Sequence, residues 1–122
     1  MGDLSKNFNR AEFACKGPDC CYHSASIHPE LVSSLQMLRD KAGPLLITSG
    51  FRCNHHNKNV GGAKNSMHVF GMAADIKSDR LTPKELADLA ESVSAFKSGG
   101  IGIYKSWVHV DVRTTGSARW VG

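Results

Sequence analysis

Ser66-Met67-His68-Val69-Phe70-Gly71-Met72-Ala73-Ala74-Asp75, followed further along by His109, is the stretch on which the reading of this chain turns. An imidazole, a carboxylate and a second imidazole form a three-ligand zinc set that leaves the fourth position for water. That open position separates a catalytic site from a structural one. Residues 71–76 read as a strand, so Asp75 is placed on a sheet. The runs Ile101-Gly102-Ile103-Tyr104 and Trp107-Val108-His109-Val110-Asp111-Val112 fit a hairpin turning at Lys105-Ser106. In the second run, alternation puts His109 and Asp111 on one face, opposite Val108, Val110 and Val112.

Outward from this stretch the chain carries two helices. Over 29–42, Leu31, Leu35, Leu38 and Ala42 share a face, with Pro29 suited to the first turn, His28 placed to cap it and Gly43 to end it. The short apolar run Leu45-Leu46-Ile47-Thr48 then reads as a buried strand. Thr82-Pro83-Lys84-Glu85 has the form of a capping box and predicts a helix to about Val93, burying Leu86, Leu89 and Val93. Residues 50–65 are rich in Gly, Asn, His and Lys without a repeat period, and a loop that long inside a compact domain is usually functional. Residues 1–26 read as an irregular leader anchored by Phe8 and Phe13.

With 122 residues and 41% apolar content, the chain is sized for a single domain spanning 1–122 around one core. Its net charge of +4 is spread along the sequence, with no basic stripe or recognition helix, so nucleic acid is not an expected partner. No stretch has the roughly 20 apolar residues of a membrane span, and no apolar segment follows the first basic residue at the start. The expectation is a monomer without a signal peptide, made in the cytoplasm. Cys15, Cys20, Cys21 and Cys53 permit either a contact or disulfide from the leader to Cys53, or buried and free thiols.

The spacing of His68 and Asp75 alone means little. Together with Ser49-Gly50-Phe51-Arg52 upstream and Gly102-Ile103-Tyr104 before His109, however, the sequence resembles the zinc D-alanyl-D-alanine carboxypeptidases and related cell-wall endopeptidases. That family belongs with the lysostaphin-type enzymes and the hedgehog signalling domain to one superfamily. The resemblance implies an α+β fold with a small antiparallel sheet bearing the zinc site and helices packed mainly on one face. It also implies one zinc ion on His68, Asp75 and His109, with Arg52 and Ser66 near the substrate. The implied substrate is peptidoglycan peptide, met in the cell wall or periplasm by a bacterial or phage enzyme such as an endolysin.

The chain departs from the family at one point. Many relatives carry Glu or Asp three residues before the last histidine as general base, and Ser106 stands there instead. Asp111, on the same face as His109, is the candidate substitute, either as that base or as an acceptor that orients an imidazole or pairs with Arg113. The missing acid also supports a rival expectation, a zinc-bearing domain that binds wall material or peptide without cleaving it.

Overall fold

Helix α1 (Pro29–Ala42) begins where His28 Nδ1 accepts from Glu30 N at 3.2 Å and ends at Gly43, whose positive φ of 86° few other residues adopt. The computed structural model describes residues 5–15, 27–52, 57–58, 61 and 66–122. After α1 come β1 (Leu45–Ser49) and β2 (Ala73–Ser78), then α2 (Pro83–Ala90) and α3 (Ser94–Lys97). Strands β3 (Gly100–Ile103), β4 (Val108–Asp111) and β5 (Ala118–Val121) follow. The capping box is present at α2, where Thr82 accepts from Glu85 N and Glu85 reaches back to Thr82 N. Helix α2 stops at Ala90, short of Val93, because the chain turns there to start α3.

The fold is α+β, as expected, but its sheet is mixed and not purely antiparallel. Its order is β1-β2-β4-β3-β5, and only the β3–β5 pair is parallel. Strand β4 already has β2 on one edge and β3 on the other. The chain leaving β4 therefore reverses and takes the free edge of β3, where the direction opposite to β4 is the direction of β3. Short and half-exposed, β5 carries no apolar run that announces it in the sequence.

Ala74, Ile76, Ile101, Val108 and Val110 line one face of the sheet and join Leu31, Leu35, Leu38, Leu86, Ala90 and Phe96 in one apolar core. Phe8 and Phe13 are buried in the same core, and Phe51 N donates to Phe13 O at 2.9 Å, which ties the leader to the start of the long loop. The opposite face is left for chemistry. Pairing registers align Ser49, Asp75, His109, Gly102 and Trp120 in one row across all five strands. Next to Asp75 the β1–β2 register shifts between Ile47 and Ser49, and the extra residue Thr48 donates to Asp75 O at 3.2 Å. A bulge of this kind re-aims side chains beside a site.

Candidate metal centre

His68 is delivered by a tight turn over residues 66–72. Val69 N, Phe70 N and Gly71 N donate to the carbonyls of Ser66, Met67 and His68. Gly71 closes the turn at φ 69°, a conformation a side chain would strain, and this accounts for the glycine of the motif. Ser66 Oγ accepts from His68 N at 3.3 Å, which leaves its own hydroxyl proton to donate. Asp75 and His109 face each other across β2 and β4.

The three residues meet at one point. His68 Nε2 lies 3.2 Å, and His109 Nδ1 3.4 Å, from Asp75 Oδ1. Metal bonds of about 2.0–2.2 Å in a tetrahedron place ligand atoms roughly 3.3–3.6 Å apart, close to these separations. All three side chains are buried. Among the described residues they form the one cluster of histidine, cysteine or acidic side chains with metal-ligand spacing.

The outer nitrogens of both rings show that the site suits a cation. His68 Nδ1 lies 2.8 Å from Gly50 O and His109 Nε2 lies 2.7 Å from Asp111 Oδ2, so in neutral rings these nitrogens hold the proton and donate. The inner nitrogens are then left with lone pairs directed at a carboxylate oxygen. Such an arrangement repels until a cation stands between the three atoms. Without a metal ion a proton meets the same demand: burial disfavours the charged form of Asp75, yet hydrogen bonds from His109 and His68 hold its carboxyl well below the usual carboxylate range. Burial likewise disfavours the imidazolium of His109, but hydrogen bonds to Asp111 and Asp75 push its pKa above the ordinary value.

Arg52 closes the site on the β1 side. Its backbone N donates to His68 O at 3.1 Å. Its guanidinium donates to Ser49 Oγ at 3.2 Å, to Asn57 Oδ1 at 3.0 Å and to Asp75 Oδ2 at 3.4 Å. A guanidinium has five N–H groups, so donors remain for a substrate carbonyl or carboxylate.

Asp111 is fully buried at 0% exposure, and both of its oxygens are engaged. Oδ1 accepts from Gly100 N at 2.8 Å, Arg113 N at 3.1 Å and Arg113 Nε at 2.9 Å, while Oδ2 accepts from Arg113 Nη2 and faces His109 Nε2, both at 2.7 Å. The orienting arrangement that alternation allowed is therefore present. No pattern in the sequence sets Trp120 beside His109, yet its ring lies 4.9 Å from that of His109. Tyr104 stacks on Trp107 at 4.7 Å and accepts from Trp120 Nε1 at 2.9 Å. His55, His56 and the proposed Cys53 contact lie outside the described residues.

Residues 6–111 match the peptidase M15 family. Over 44 residues, 34% of the chain, the sequence is 48% identical to the zinc D-Ala-D-Ala carboxypeptidase of Streptomyces albus G, and the match spans 17% of that protein's length.

Proposed function

We propose that the chain, which belongs to the peptidase M15 family, is a zinc metallopeptidase that cuts an amide bond in peptidoglycan stem peptide, acting as one domain with one zinc ion. The observation that carries the reading is the convergence of two imidazoles, each with its outer nitrogen engaged, on Asp75 Oδ1. His68, Asp75 and His109 would hold the ion. When bound, it supplies a Lewis acid that polarises the scissile carbonyl and lets water attack near neutral pH. Arg52, held by Ser49, Asn57 and Asp75, presents its remaining donors to a carbonyl or terminal carboxylate of the peptide. Ser66 can donate its hydroxyl proton to the same group.

Asp111 is better suited to fix the proton on His109 Nε2 than to take one from water, because its lone pairs are already filled by five donors. Together with Ser106 at the family's acidic position, this favours one rival, a zinc domain that binds wall peptide without cutting it. No helix among the described residues is long and apolar enough to cross a membrane, which suits either reading. Incubation of the zinc-loaded protein with purified muropeptides, followed by mass spectrometry, separates the two. A peptidase yields products shortened by a terminal D-Ala or split at an internal amide; a binding domain returns the peptides intact.

Arg52→Ala is expected to lower kcat/KM by about 10²-fold with a full equivalent of zinc retained, the loss typical of a removed charged contact. Thermal melts should move by only a few degrees. A collapse of stability with unchanged kcat/KM in the folded fraction would make Arg52 a purely structural clamp on Asp75.

A further inference from the structure

Four side chains form a closed ring around the last ligand. His109 Nε2 bonds Asp111, and Asp111 is gripped by Arg113 through two side-chain contacts of 2.9 and 2.7 Å. The guanidinium carbon of Arg113 stands 5.5 Å from the centre of the Trp120 ring, and that ring returns to His109 at 4.9 Å with a tilt of 50°. Arg113 and Trp120 both lie beyond residues 6–111, the stretch that matches the family.

The ring has a mechanical consequence. One hydrogen bond fixes where Nε2 points, but the imidazole can still swing about that bond and carry Nδ1 away from Asp75. Contacts of two further rings with the imidazole oppose this motion. His68 stands against it edge-on, with ring centres 5.1 Å apart, and Trp120 stands against it from β5. Trp120 is itself held in place. Its Nε1 donates to Tyr104 Oη at 2.9 Å, Tyr104 is stacked on Trp107, and its indole fills the space over Gly102, where a Cβ would fall 2.3 Å from Nε1 and Cε2. The parallel pairing of β3 and β5 sets Trp120 opposite Gly102, in the row that contains Asp75 and His109.

The geometry points to Trp120, supported by Arg113, as a positioning residue of the metal centre: it holds the His109 imidazole in the orientation that presents Nδ1 to the ion. This rests on the reading of His68, Asp75 and His109 as ligands. Pre-set ligand geometry is what the surroundings of a metal site contribute, and loss of such a support typically weakens metal affinity by about 10–100-fold.

Zinc affinity by competition with a chromophoric chelator, and the visible absorption of the cobalt-substituted protein, read this role without any substrate. Trp120→Ala is expected to weaken zinc binding about tenfold and to shift the cobalt bands, because one ligand is no longer held. Trp120→Phe keeps a ring against His109 and should recover most of the affinity. Gly102→Ala reaches the same contact from beneath, since its methyl displaces the indole, and should weaken zinc comparably without altering Trp120 itself. Arg119→Ala is the control for strand docking: it frees β5 from Glu91, Lys97 O and Gly99 O and should lower the melting temperature while leaving zinc affinity unchanged.

Zinc affinity of Trp120→Ala within twofold of the parent, with unchanged cobalt bands, would overturn the inference. So would an equal loss in Arg119→Ala, which would trace the effect to β5 docking. If Trp120→Ala does not fold, Gly102→Ala decides by the same two measurements. Failure of the parent protein to bind zinc at all would instead overturn the ligand assignment beneath it.

Discussion

His68→Ala is expected to abolish stoichiometric zinc binding and to lower peptide hydrolysis by about 10³-fold or more, since the ion contributes several kcal/mol of transition-state stabilisation. Of the three proposed ligands, His68 is delivered by the 66–72 turn, while the other two come from paired strands. Its loss therefore leaves the Asp75–His109 pairing of β2 and β4 in place. The folded variant should retain its sheet and core, and circular dichroism should show the parent spectrum. Zinc should also raise the melting temperature of the parent, by mass action on the folded state, and should fail to do so in the variant. Elemental analysis after gel filtration settles the matter. A full equivalent of zinc in His68→Ala, with the cysteines intact, would place the metal on a cysteine site and remove the proposed centre.

The clustering of His68, Asp75 and His109 was legible because these residues lie within short, locally ordered segments. Gly71 makes the turn that turns His68 inward, and period-two alternation puts His109 and Asp111 on one side of β4. The capping box before α2 and the proline start of α1 are likewise local signals, and both elements form where those signals lie. Contacts made by register were not legible. Trp120 reaches His109 because β5 pairs with β3 in parallel, a choice imposed by the filled edges of β4 rather than by any pattern within residues 112–122. The same holds for Asp111. Alternation gives its side of the sheet, but only the fold brings Gly100 N and the fork of Arg113 onto its oxygens, an arrangement that favours an orienting acceptor over a base. Arg52 illustrates the intermediate case, in which a short motif names the residue while the bulge at Thr48 and the pairing of Ser49 with Asp75 set its partners.

Asp111→Asn is expected to weaken zinc binding by about 10–100-fold and to destabilise the protein by about 3 kcal/mol, the low end for a broken buried ion pair because Arg113 keeps some contact with water. The amide has no satisfactory orientation. With its nitrogen in place of Oδ2 it meets the protons of His109 Nε2 and Arg113 Nη2; flipped, it meets those of Gly100 N, Arg113 N and Arg113 Nε. The sign of the pH dependence also follows. Burial raises the Asp111 pKa, but Arg113 and His109 overcome this and hold the carboxyl well below its usual range. A carboxylate depressed in the folded state adds stability that is complete above its unfolded pKa, near 3.9, and is lost as pH falls from there through the folded value. The stability gap between parent and Asp111→Asn, measured by urea unfolding, should therefore narrow as pH falls below about 4. A general base would behave otherwise: kcat would fall by about 10²- to 10⁴-fold with zinc affinity unchanged. That result, or a variant with parental stability at neutral pH, would remove Asp111 from its place behind His109.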